Sequence, residues 1–199
     1  MNELFAPSLQ RPSTRAAEGL PRWCWTVAEI EKLAAAGFFQ EDERIELLGG
    51  EIVPMSPKGR RHEIVRDAVT FQFIKLAPPD IFVSAEPQFN LSADTYLMPD
   101  VLVRPAAIMT PDLRGGDALL VVENADTSLS YDLNTKAPLY AAHGVREYWV
   151  IHSGNLMTRV HRQPSGKEYG SIEEISSDMT LVPSLAQSLA ISLNALTLE

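Results

Sequence analysis

The chain of 199 residues holds one cysteine, Cys24, so no internal disulfide can form. That usage fits a reducing, cytoplasmic setting, and Cys24 reads as a packed, inert thiol. No run of about 18 apolar residues occurs, which removes the pattern of a transmembrane helix and predicts no membrane partner. Met1 to Pro21 is polar and mixed, without the apolar core of a secretory signal. A flexible arm is expected over 1–24. The chain is also short of positive charge: 17 Lys and Arg stand against 26 Asp and Glu, for a net charge of −9. That balance opposes loose binding to nucleic acid, and a nucleic-acid enzyme would need a local basic patch or a bound cation. Gly-rich phosphate loops of the GxxxxGK[ST] type, HExxH, paired CxxC and GxSxG elbows are all missing. No internal repeat or low-complexity tract is present.

What remains is an ordinary apolar fraction of 45% arranged in short alternating elements. Thr26 and Glu29 form a capping-box pattern opening a helix through Ile30, Leu33 and Ala34, with Gly37 at its end. Residues 44–48 and 51–55 flank Gly49-Gly50 and read as a hairpin, because two glycines accept the positive φ angles of a tight turn. A second helix carries Ile64, Val65, Ala68, Val69, Phe73 and Leu76 and stops at Pro78-Pro79. Strands are predicted over 81–84, 88–91, 96–103, 118–123 and 147–152. The run 118–123 is almost wholly apolar, as for a strand buried on both faces. A further helix is predicted over 131–143, ended by Gly144, with Pro138 removing a backbone donor inside it. A late hairpin spans 156–162 and 169–175, and the stretch 185–198 fits helix or strand equally. This interleaving predicts an α/β (α+β) domain over 25–199 with a mixed central sheet flanked by helices.

Two acids stand out. Asp100 heads the apolar run Val101-Leu102-Val103, and Glu123 closes Leu119-Leu120-Val121-Val122. An acid beside buried strand is costly to desolvate unless something compensates it. A divalent cation held by both is one compensation, and an activated water is the chemistry it brings. Lys136 lies four residues after Asp132 and four before Tyr140, which places all three along one helical face. A lysine there can orient or deprotonate a water and offset phosphate charge. His62 is a weaker candidate for contact with phosphate or metal. Tyr148 and Trp149 read as packing residues, and His143, His152 and His161 fall on different elements and suggest no joint site.

The segments Glu46-Leu47-Leu48-Gly49-Gly50-Glu51, Pro99-Asp100-Val101, Val121-Val122-Glu123, Asp132 with Lys136, and Tyr140-Ala141-Ala142-His143-Gly144-Val145-Arg146-Glu147-Tyr148-Trp149 resemble the Uma-two family. These are small bacterial endonucleases of the PD-(D/E)XK superfamily, with a restriction-endonuclease-like core. The resemblance implies a single nuclease-like domain, Mg2+ or Mn2+ held by Asp100 and Glu123, and DNA as substrate. It implies Lys136 as the basic residue, supplied from the following helix because the position two after Glu123 is Ala125. Glu46 matches the acid of the first hairpin and joins the expected catalytic set. A homodimer is expected, since two strands must be cut. The alternative is a nuclease fold kept as a catalytically inactive binding or regulatory module.

Overall fold

The computed structural model describes residues 23–40 and 43–198. The expected arm over 1–24 therefore lies, but for Trp23 and Cys24, outside the described residues. Cys24 is exposed, contrary to the packed thiol expected. It lies on extended chain against the first hairpin turn, where Trp25 N–H donates to Gly50 O at 2.9 Å, so it borders that turn without entering a core.

Helix α1 (Val27–Ala35) starts at the expected capping box, with both halves formed: Thr26 Oγ1 accepts from Glu29 N–H, and Glu29 Oε2 from Thr26 N–H. Strands β1 (Ile45–Leu48) and β2 (Glu51–Pro54) form the predicted hairpin, with Leu48 opposite Glu51. Gly49 and Gly50 take φ of 57° and 80°, the pair of left-handed residues a tight hairpin turn requires. Helix α2 (Arg60–Leu76) buries Val65, Val69 and Phe73 and ends before the two prolines.

Strands β3 (Ile81–Ala85), β4 (Phe89–Ser92), β5 (Thr95–Leu97), β6 (Val101–Pro105) and β7 (Leu120–Ala125) follow. Residues 96–103, expected as one strand, are two strands in different sheets. Strand β5 joins a four-stranded antiparallel sheet in the order β2-β1-β5-β4. Strand β6 joins a six-stranded sheet that also holds β8 (Glu147–His152), β9 (Thr158–Ser165) and β10 (Glu168–Ile175), in the order β10-β9-β8-β7-β6-β3. The break has a local cause. Pro99 has no N–H for a ladder, and the N–H of Met98 donates to the Glu46 carboxylate at 3.1 Å, away from any strand. In the larger sheet only β7 and β8 run parallel; the other pairs are antiparallel.

The connection from β7 to β8 holds a helical segment in three parts: α3 (Leu129–Tyr131), a π-helical stretch Asp132–Lys136, and α4 (Ala137–Ala142). It begins two residues earlier than predicted. Pro138 is the reason for its irregularity: a residue without N–H cannot close the regular ladder, and Ala137 N–H instead reaches back five residues to Asp132 O. The ambiguous C-terminal stretch holds the short strand β12 (Ile191–Ser192), paired with β11 (Thr180–Leu181), between single turns.

The larger sheet has apolar clusters on both faces. One gathers Phe73, Val103, Val122, Trp149 and Leu189; the other gathers Leu102, Val121, Tyr140, Tyr148 and Phe89. Tyr148 and Trp149 are fully buried, as packing residues should be. Among the described residues no helix is long and apolar enough to cross a membrane.

Candidate active site

The turn from β5 into β6 carries Asp100 across the junction of the two sheets. Strand β7 runs beside β6 and brings Glu123, while β1 brings Glu46 from the smaller sheet and the π-helical stretch brings Asp132 and Lys136. All five side chains line one cleft of about 330 Å³, together with Lys58, His62 and Tyr131. The four residues expected to act, Glu46, Asp100, Glu123 and Lys136, are thus neighbours, and each is at most 4% exposed.

Lys136 sits at the centre of the acids. Its Nζ lies 2.8 Å from Glu123 Oε1, 3.0 Å from Glu46 Oε1 and 3.9 Å from Asp132 Oδ1. Two tyrosines complete the set: Tyr140 donates to Glu123 Oε1 at 3.2 Å and Tyr131 to Glu46 Oε2 at 3.1 Å. Burial works to strip the proton from Lys136, but the charges of Glu123, Glu46 and Asp132 outweigh it and hold its pKa well above that of an ordinary lysine. Glu123 is driven the other way: burial pushes its pKa up, Lys136 opposes this, and the charges of Asp100, Asp132 and Glu46 add to the rise. Asp132 is raised as well, by burial first. One ammonium facing three carboxylates cannot satisfy them all, which is a reason for further positive charge to enter the cleft.

Asp100 has its own partners. Its Oδ1 faces Lys58 Nζ at 2.5 Å, while Oδ2 accepts from Asn124 N–H at 2.7 Å and lies 3.0 Å from His62 Nε2. Burial pushes this carboxyl up, but the hydrogen bond from His62 and the charge of Lys58 prevail and hold it at about 2. Asn124 also donates to His62 O at 2.5 Å and accepts from Ser153 at 3.0 Å, so one amide fixes the acid strand against the start of α2. The other ring nitrogen of His62, Nδ1, is buried without a hydrogen-bond partner.

Several of these groups were invisible to sequence reasoning. Lys58 sits in a Ser-Pro-Lys-Gly loop with no period to mark it. Tyr131 marks only the start of a predicted helix, Tyr140 falls on the helical face of Lys136 without a partner, and Asn124 carries no signal. A signal existed for His62, close behind a basic loop, but it was weak. Glu51, from the same hairpin as Glu46, is exposed and takes no part in the cleft.

Carboxylates are hard oxygen donors, suited to Mg2+ or Mn2+. Among the described residues no three His, Cys, Asp or Glu side chains gather as a ready-made metal cage. Mg2+ does not need one: it is held through one or two carboxylates and keeps waters or substrate phosphates for its other positions. Asp100 and Glu123 fit that arrangement, each already facing a cation through an oxygen on the cleft. The raised pKa of Lys136 favours its protonated form. A lysine that keeps its proton donates hydrogen bonds and positive charge; it does not remove a proton from water.

The fold resembles the solved structure of a "putative nuclease belonging to DUF820" from Anabaena variabilis ATCC 29413, with a TM-score of 0.66 and 18% identity over 85% of this chain and 96% of that one. No curated protein matches the chain. A family profile described as "Putative restriction endonuclease" matches residues 27–196. With that profile spanning residues 27–196, most of the chain, this protein belongs to the Uma2 family.

Proposed function

We propose that the protein is a metal-dependent endonuclease that hydrolyses phosphodiester bonds of DNA. The observation that carries this reading is the convergence of Glu46, Glu123 and Asp132 around Lys136, with Asp100 lining the same cleft. Family membership supports nuclease chemistry on independent grounds.

Asp100 and Glu123 would hold Mg2+ or Mn2+. Such an ion, when bound, lowers the pKa of water and neutralises charge building on the phosphate. The chain does the rest. Lys136, kept protonated by Glu46 and Glu123, presents N–H donors toward a water or a phosphate oxygen. Glu46 fixes that ammonium and is itself fixed by Tyr131 and by the backbone of Met98. Asn124 and His62 hold Asp100 so that its oxygens do not turn as the cleft fills. Attack by water on the scissile phosphorus would leave a 5′-phosphate and a 3′-hydroxyl. Two copies related by a two-fold axis would supply one cleft per strand, so we also propose a homodimer.

The test is cleavage of duplex DNA in Mg2+ or Mn2+ by wild type, Asp100→Asn and Glu123→Gln. Wild type should cut only with metal, and each variant should lose at least about 100-fold in rate while keeping its circular dichroism spectrum. Undiminished cutting by both variants would end the assignment. A second reading, a nuclease fold that binds without cutting, is favoured by the contact of Lys58 with Asp100, which places an ammonium where a metal would compete. Metal-independent DNA binding with no cleavage by wild type would select it.

A further inference from the structure

A second charged cluster adjoins the cleft and shares Lys58 with it. Arg44 precedes β1, Lys58 precedes α2, Arg66 lies on α2, and Glu86 follows β3. A single oxygen, Glu86 Oε1, lies 2.9 Å from Arg44 Nη1, 2.5 Å from Lys58 Nζ and 2.8 Å from Arg66 Nη1. Three cations thus meet at one carboxylate. Arg66 has a further partner in Asp67 at 2.8 Å, and Lys58 has one in Asp100 at 2.5 Å. Arg44 contacts Glu86, and its side chain remains 36% exposed. The carboxyl of Glu86 feels this excess. Burial works to raise its pKa, but the hydrogen bonds and charges of Arg44 and Lys58 prevail and hold it at about 2.

The arrangement is built and positioned by the backbone. Glu86 takes φ of 48°, a left-handed conformation uncommon for a residue other than glycine. Its N–H donates to Asp100 O at 3.1 Å, tying the organising acid to the segment that carries Asp100. Lys58 stands in both groups: it lines the cleft, and its Nζ bridges Asp100 and Glu86. The cationic cluster therefore begins where the wall of the acidic cleft ends.

Function makes such a neighbour necessary. A cleft with four carboxylates repels a polyanion, and a net charge of −9 gives no long-range attraction to offset it. Guanidinium groups match phosphate oxygens in a bidentate way, and an acid that gathers them holds the fork in place. We propose that Arg44, Lys58 and Arg66, organised by Glu86, form a phosphate clamp that grips the sugar-phosphate backbone of the DNA beside the bond being cut. The clamp rests on the nuclease reading for its ligand, but its contacts are to phosphate and carry no base preference.

Binding of a fluorescein-labelled DNA duplex, followed by anisotropy in EDTA over a series of salt concentrations, tests it apart from catalysis. Each phosphate contact removed should lower the slope of log Kd against log salt by about 0.9. Arg44→Gln should lose one contact, and Arg44→Gln with Arg66→Gln should lose two and weaken binding at least tenfold at low salt, roughly equally for unrelated sequences. Arg44→Lys should restore most of the slope. Arg159→Gln, on the exposed β9–β10 hairpin where it pairs with Glu174, should leave it unchanged. A folded double variant with wild-type slope and affinity would overturn the clamp, and so would a wild type that does not bind duplex at all. Should the double variant not fold, Arg44→Gln alone carries the same comparison. Cleavage is scored separately: loss of slope with cutting still independent of Asp100 would sink the catalytic assignment and leave the clamp standing.

Discussion

Lys136 and Asp100 show how far single residues could be read from sequence. The spacing of Asp132, Lys136 and Tyr140 suggested a shared face, and the structure places Lys136 Nζ 3.9 Å from Asp132, while Tyr140 meets the lysine's acid partner Glu123. The partners of Asp100 were not legible, because Lys58, His62 and Asn124 come from a loop, a helix start and a strand end with no common period. Those partners have a measurable consequence. Asp100 is held at about 2, below its usual 3.8, so its contribution to stability is present above pH 3.8 and is lost as pH falls through 2. Glu123 acts in the opposite sense: its raised pKa gives a contribution present below 4.5 that is lost as pH rises through the folded value. Comparing wild type with Asp100→Asn isolates the Asp100 contribution, apart from the part of the Glu123 rise that the Asp100 charge supplies. The difference in unfolding free energy from urea titrations should shrink by roughly 2 kcal/mol between pH 5 and pH 2. A difference that does not vary with pH would contradict the assigned ion pairs.

Among elements, the helical segment over 129–142 departs most from expectation, and its sequence holds the reason. Pro138 was visible as a missing donor, but a missing donor fits a kink, a late start or a widened turn. Only the packed structure selects the widened turn, which carries both Asp132 and Lys136. The hairpin around Gly49-Gly50 was fully legible because its turn has one chemical solution. The split of residues 96–103 between two sheets was not, because apolar residues on both sides of Pro99 suit one strand as well as two. If the widened turn positions Lys136, Pro138→Ala should allow a regular ladder and move the ammonium. Stability should change by less than about 1 kcal/mol, while metal-dependent cleavage should fall by about 100-fold. Thermal melts and single-turnover rates on the same preparation check both parts; unchanged rates would show that the π-helical stretch has no bearing on the chemistry.

At the scale of the molecule, the cleft exists because two sheets meet. Glu46 belongs to the smaller sheet and Glu123 to the larger, and Asp100 sits on the turn that crosses between them. The alternation of elements revealed a mixed α/β fold, and family resemblance pointed to the acids. Periodicity could not reveal the junction, since it describes neighbours along the chain and the junction joins residues far apart in it. The same junction makes a metal hypothesis sharp: two acids from different elements face one space, each already in contact with a cation. Calorimetric titration of the metal-free protein with Mn2+ tests this most directly. The account predicts saturable binding at millimolar metal or below in wild type, weakened at least tenfold by Asp100→Asn and by Glu123→Gln, both still folded. No binding to a well-folded wild type, or equal binding to all three proteins, would contradict it.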